Sequence, residues 1–154
     1  MKLPRMANSK HNIPIDPGKR QIAILKDYCF SSNILSNAYK DPDNPPQQFG
    51  LANIVFKQGS TVEGVLYWID DEYIKILDDW ELAYTRRLIT VQNLSGESTL
   101  AYTYIGKKER EVGCLPFHPD YFQEIYEGAT DPHMHVSEAY VLFLETFRPS
   151  KKTR

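Results

Sequence analysis

The sequence predicts an α+β domain whose mostly antiparallel sheet can curl into a small mixed β-barrel flanked by helices. Three observations carry that expectation. Runs rich in Val, Ile, Thr and Tyr come in pairs joined by short Gly-containing connections, three other stretches place apolar residues at helical spacing, and no internal repeat or linker divides the chain. A length of 154 residues suits one domain with a real core, so 1–154 is read as a single domain with an N-terminal segment at 1–20 and a basic tail at 148–154.

The first twenty residues are polar, lack periodicity and end in the turn-like Asp16-Pro17-Gly18. Gln21 to Phe30 is β-branched and aromatic enough for a strand. Ser31 to Gln48 reads as a loop, marked by Asp41-Pro42-Asp43-Asn44-Pro45-Pro46, and a loop that long in a small domain is often a lid or an insertion. Leu51 to Phe56 and Thr61 to Ile69 follow as strands, and Lys57-Gln58-Gly59-Ser60 between them predicts a hairpin turn. Asp70 or Asp71 can cap a helix over Glu72 to Asp79, whose apolar face is Tyr73, Ile74, Leu77 and Trp80. Arg86 to Asn93 and Ser98 to Ile105 make a second hairpin around Leu94-Ser95-Gly96-Glu97. Pro119 opens a helix over Asp120 to Glu127, since its missing N–H costs nothing in a first turn. Ser137 caps a final helix running to about Phe147, with Tyr140, Leu144 and Phe147 on one face.

Composition narrows the function classes. With 42% apolar and 25% charged residues the chain is ordinary for a globular protein, and a net charge of −2 gives no global attraction to nucleic acid or to an anionic membrane. The longest apolar run, near Ala139 to Leu144, is far short of a membrane span. Met1 to Ile15 is polar and broken by Pro4 and Pro14, unlike a signal peptide, and Cys29 and Cys114 lie far apart, as reduced structural thiols would in the cytoplasm. A cytoplasmic protein is therefore expected.

Candidates for chemistry are few. His133 and His135 alternate and could share a metal with Asp131 or His118, but they fall in a loop between two helices, and no metal or other cofactor is expected. Lys107, Lys108 and Arg110 alternate with Glu109 and Glu111, as a solvated loop does. The informative constellation is Asp78, Asp79 and Glu81 at the end of a helix. The carbonyl end of a helix disfavours negative charge, so a carboxylate there, half-covered by Trp80, holds its proton more tightly and suits proton shuttling near neutral pH. Spacing alone does not choose among the three acids.

Several motifs in order resemble the γ-glutamylcyclotransferase and AIG2-like family. Gly50-Leu51-Ala52-Asn53-Ile54-Val55, then Gly59, then Val62-Glu63-Gly64-Val65-Leu66-Tyr67 are similar to its central hairpin. Leu77-Asp78-x-x-Glu81 is similar to its LDxxEG, and Tyr84-Thr85-Arg86 to its Tyr-x-Arg entering the next strand. Ala101-Tyr102-Thr103-Tyr104 resembles the following strand, and Pro119-Asp120-Tyr121 through Gly128-Ala129 its tyrosine-bearing helix. The likeness covers roughly residues 20–147. Two features depart from the pattern. The family's YGSN segment should fall near Met6-Ala7-Asn8-Ser9-Lys10, where Ser9 alone survives clearly, and Leu82 replaces the glycine after Glu81.

The resemblance implies a γ-glutamylcyclotransferase-like fold and an enzyme that cyclises a γ-glutamyl compound to 5-oxoproline, releasing the amine without a cofactor. Glu81 would be the general acid/base, Ala7, Asn8 and Ser9 would cradle the substrate through backbone N–H groups, and Tyr84 and Tyr121 would line the pocket. A small γ-glutamyl compound or related metabolite is then the expected partner, with neither nucleic acid nor membrane, and a homodimer is a further expectation. Two alternatives stand beside the enzyme: a metabolite-binding relative without activity, and an interaction module using the 31–48 stretch or the basic tail.

Overall fold

The computed structural model describes residues 17–41 and 47–150 of the chain. Four strands and three helices follow one another as β1 (Arg20–Asp41), β2 (Gln47–Tyr67), α1 (Asp71–Trp80), β3 (Tyr84–Gln92), β4 (Ser98–Gly106), α2 (Pro119–Ala129) and α3 (Glu138–Glu145). The pairing is antiparallel throughout, so the α+β expectation stands. The candidate cradle residues Ala7, Asn8 and Ser9 lie outside the described residues.

Two expectations about the first half of the chain are corrected. Lys57 to Ser60 is not a hairpin turn, because Leu51–Phe56 and Thr61–Tyr67 do not pair with each other. Both pair with β1: Lys26 faces Thr61 and Tyr28 faces Phe56, so four residues of β2 bulge out opposite Asp27 alone. Asp27 and Gly59 both take positive φ (66° and 85°), and the Gly59 N–H donates to Asp27 Oδ1 at 3.0 Å. Glycine tolerates that region for want of a Cβ, and aspartate is among the few other residues that enter it. The second correction concerns Ser31 to Asp41, which is strand and not loop. Phe30, Ser32, Ile34 and Ser36 alternate as buried positions along β1, and Ile34 sits opposite Leu51.

The sheet is not closed into a barrel among the described residues. Its order is β2-β1-β3-β4, which leaves β2 and β4 as edges, and β1 meets β3 at one register pair, Ile24 opposite Gln92. Between the edges a side chain takes the place of a backbone ladder. The Gly106 N–H of β4 donates to Asn53 Oδ1 of β2 at 2.8 Å, and Asn53 Nδ2 donates to Asn33 Oδ1 of β1 at 2.9 Å. The donor that would begin a closing ladder is thus already satisfied.

The second hairpin forms as expected. Asn93 Oδ1 accepts from the N–H groups of Ser95 and Glu97, and Gly96 takes a φ of 83° in the turn. Pro119 occupies the first turn of α2, whose N-cap is His118, with Nδ1 accepting from the Asp120 N–H. Ser137 caps α3 through its Oγ, which accepts from the Tyr140 N–H, while Glu63 of β2 accepts from the Ser137 N–H at 3.0 Å and so ties the cap to the sheet. Asp70 stands at the N-cap of α1, yet its carboxylate makes no capping bond.

Tyr121, Phe122 and Ile125 of α2 and Tyr140, Val141 and Leu144 of α3 share one buried cluster with Phe30, Val62 and Val65 of the sheet. Burying each large side chain contributes on the order of 1.5–3 kcal/mol. Helix α1 contributes no residue to that cluster: Leu77 is buried, but Trp80, expected on the same apolar face, is 55% exposed. No described helix is long and apolar enough to cross a membrane.

Candidate active site

Glu81 is placed by the end of α1. Its N–H closes the last helical bond to the Leu77 carbonyl at 3.0 Å, and its own carbonyl accepts from the Tyr84 N–H at 3.0 Å. The chain therefore leaves the helix and enters β3 within one turn, which Lys107 pins by donating to the Ala83 carbonyl at 2.9 Å. Leu82 fits this turn because it needs no positive φ; Asp27 alone among the described non-glycine residues has one. The glycine that the family pattern carries after the glutamate is thus not required by the backbone here.

The structure separates the three acids that spacing left equivalent. Asp79 is exposed. Asp78 is engaged on both oxygens: the Tyr104 hydroxyl donates to Oδ1 at 2.6 Å, and Arg86 Nη1 lies 3.4 Å from Oδ2. Arg86 and Tyr104 are register partners across β3 and β4, so the two strands present this pair to the helix as a unit. Glu81 is half-buried beside them. Burial foremost, then the hydrogen bond and charge of Asp78, with Glu81 adding a smaller push and Arg86 opposing, holds the Tyr104 hydroxyl well above its ordinary range. Tyr104 thereby stays a neutral hydrogen-bond donor into the alkaline range where an ordinary tyrosine ionises.

Tyr84 and Tyr121 converge on one residue of β2. The Tyr84 hydroxyl donates to the Ala52 carbonyl at 2.7 Å, and the Ala52 N–H donates to the Tyr121 hydroxyl at 3.0 Å. Tyr121 is packed by Tyr39, Phe117 and, through Tyr39, by His118, whose ring stacks on Tyr39 at 4.7 Å. Glu81 and Tyr84 are thus joined through one turn, and Tyr84 and Tyr121 through the backbone of one residue, Ala52. Sequence reasoning did not single out Asp78, Arg86 and Tyr104 as a cluster; the alternation of Arg86 and Tyr104 along a predicted hairpin was the signal that could have found it.

A cavity of about 210 Å3 lies against this cluster, between the end of β2, α1 and β4. Tyr104 and Arg86 line it, whereas Glu81, Tyr84 and Tyr121 do not. A second, more open cleft of about 510 Å3 shares Trp68 and Ile69 with it and is lined by Lys19 and Arg20. Among the described residues no three His, Cys, Asp or Glu side chains gather as a metal site would require. His133 and His135 stay at the surface, where the His133 N–H donates to Asp131 Oδ1 at 2.8 Å.

The fold is that of the γ-glutamylcyclotransferase-like α+β proteins. Residues 61–144, more than half of the sequence, match the model of the AIG2-like family, and the chain belongs to that family. Among solved structures, a human protein described as uncharacterised aligns with a TM-score of 0.70 at 20% identity, covering 87% of this chain and 76% of that one. A γ-glutamyl cyclotransferase aligns with a TM-score of 0.69 at 20% identity over the same shares of the two chains, 87% and 76%. A yeast γ-glutamyl cyclotransferase specific to glutathione aligns with a TM-score of 0.58 at 15% identity, covering 94% and 93%. At these identities the likeness is one of fold. No curated protein sequence matches the chain significantly.

Proposed function

We propose that the chain is a γ-glutamyl cyclotransferase-type enzyme with Glu81 as its general acid/base. The free α-amine of a γ-glutamyl group attacks its own side-chain amide carbonyl, the C–N bond to the amine breaks, and 5-oxoproline and the free amine leave. The α-ammonium must lose a proton before attack and the departing nitrogen must gain one, so a single carboxylate placed between them serves both needs. Ring closure is intramolecular, and much of the acceleration comes from holding the reactive conformer.

The observation that carries this reading is the position of Glu81, half-buried where α1 ends and one turn before Tyr84. Membership of the AIG2-like family and the cyclotransferase fold support it. In this proposal Tyr84 and Tyr121 form the wall behind the γ-glutamyl group, at the Ala52 backbone that both hold and apart from the cavity beside Tyr104, and backbone N–H groups at Ala7, Asn8 and Ser9 receive the α-carboxylate or the developing oxyanion. A cytoplasmic location belongs to the same proposal.

The test is release of 5-oxoproline from a panel of γ-glutamyl amino acids and amines, comparing wild type with Glu81→Gln. The expected result is activity in wild type and a loss of at least about 100-fold in the variant. A folded wild type that turns over no member of the panel, or a variant that keeps its rate, overturns the proposal.

A further inference from the structure

We propose that the cavity beside Tyr104 is the subsite for the released amine and selects an amino acid with a large apolar side chain, whose carboxylate meets Arg86. The inference rests on the cyclotransferase reading and specifies its substrate class. Its first support is size. Pockets for drug-sized ligands run to about 300–1,000 Å3, so a cavity of about 210 Å3 has room for one side chain and not for a whole γ-glutamyl dipeptide. It is a subsite by volume.

The second support is lining chemistry. Leu66, Ile69, Ile74, Leu77 and Leu100 give aliphatic walls, and Trp68 and Tyr102 give aromatic ones. Arg86 is the single charged residue among the lining residues. Its guanidinium is held in place twice, by Asp78 at 3.4 Å and by the Tyr102 ring, with Cζ 4.7 Å from the ring centroid. A guanidinium carries five N–H donors in a fixed fork, so one bound carboxylate leaves capacity for another. A mostly apolar surface cleft with one fixed cation is complementary to the two ends of a large apolar amino acid.

The third support is position. The Tyr104 side chain is shared: it lines the cavity, its hydroxyl is bonded to Asp78, and it lies within electrostatic reach of Glu81. One aromatic residue therefore joins the cavity to the last turn of the helix that carries Glu81.

Two measurements decide the matter, and each can fail alone. Calorimetric titration with L-phenylalanine, phenylethylamine and glycine should show L-phenylalanine binding roughly tenfold or more tighter than glycine, and tighter than phenylethylamine, which lacks the carboxylate. Leu100→Glu, at a position 65% exposed and so tolerant in the fold, should abolish that preference with an unchanged melting temperature. The ratio of kcat/KM for γ-glutamylphenylalanine over γ-glutamylglycine should be at least about 10 in wild type and collapse in Leu100→Glu. Wild type that binds phenylalanine no better than glycine, or a Leu100→Glu protein with an unaltered preference, overturns the subsite. Turnover restricted to polar amines overturns it and leaves the cyclotransferase reading intact. Absence of all turnover overturns that reading instead, and the titration then decides the cavity by itself.

Discussion

The Tyr104 hydroxyl donates to Asp78 Oδ1 at 2.6 Å, joining the far strand of the sheet to the last turn of the helix that carries Glu81. Strand β4 and helix α1 are separated in sequence by all of β3, so this bond fixes the helix end relative to the hairpin. Arg86 reinforces it from β3, and the half-buried position of Glu81 follows from where that helix stops.

Alkaline titration should reveal the environment of this tyrosine. Burial pushes Tyr67 up to about 12, and burial likewise holds Tyr104 and Tyr140 well above the ordinary tyrosine range. Above about pH 10 the unfolded chain loses these protons while the folded chain keeps them. Their stabilising contribution is therefore complete below pH 10 and lost as pH rises through the folded values. At pH 11 Tyr67, Tyr104 and Tyr140 should still be missing from the tyrosinate absorbance, and melting temperature should drop steadily above pH 10. Full ionisation at pH 11 with the fold intact would refute the assignment.

Asp78→Asn and Glu81→Gln should behave as opposites. Asp78→Asn weakens the Arg86 pair and the Tyr104 bond, costs about 1 kcal/mol of stability, and moves the Tyr104 titration down toward the ordinary value. Glu81→Gln should leave that titration nearly in place and remove 5-oxoproline release. Parallel spectroscopic titrations and turnover assays on the two variants distinguish a positioning acid from a reacting one.

Asn53→Leu should cost about 1–3 kcal/mol, because it leaves the buried Gly106 N–H without its acceptor and removes the partner of Asn33. Hydrogen exchange at the Gly106 amide is the direct readout. Faster exchange there, with β1–β2 amides unchanged, is expected, and uniform protection would contradict the bridging role of the side chain.

Gly50→Ala should be among the most damaging single changes. A Cβ at Gly50 would lie 2.1 Å from the backbone oxygen of Ser32 and 3.2 Å from that of Leu115, so strand β1 itself would have to move. A loss of roughly 3 kcal/mol, or about 10 °C in melting temperature, is expected. Gly59→Ala, where nothing lies within 4 Å of the added carbon, should show only the milder torsional cost of its positive φ. Equal melting temperatures for the two variants would be evidence against the close approach at Gly50.

Much of this was legible in the sequence where local rules decide. The β3–β4 hairpin, Pro119 at a helix start, the Ser137 cap and the helix leading to Glu81 each follow from short-range chemistry. The long strand β1 was not legible, because two of its inward positions, Ser32 and Ser36, are polar and hide the alternation that Phe30 and Ile34 continue. Ser36 is satisfied locally, its Oγ accepting from the Tyr39 N–H at 3.0 Å. The Gly59 connection has the composition of a turn, and only the presence of β1 opposite both flanking segments makes it a bulge. That Asp78 is engaged by Arg86 and Tyr104 depended on the register of β3 against β4, a tertiary fact.

The bulge at Lys57 to Ser60 sets the alignment of the longest strand pair. Sliding β2 along β1 would have to carry four surplus residues past Asp27, giving up the Gly59 N–H bond and stranding a positive φ on whichever residue replaced Gly59. The excursion is therefore a ratchet tooth: the half holding Ala52 and Asn53 and the half leading to Trp68 are each indexed from the same fixed point, so a change in one half need not shift the other.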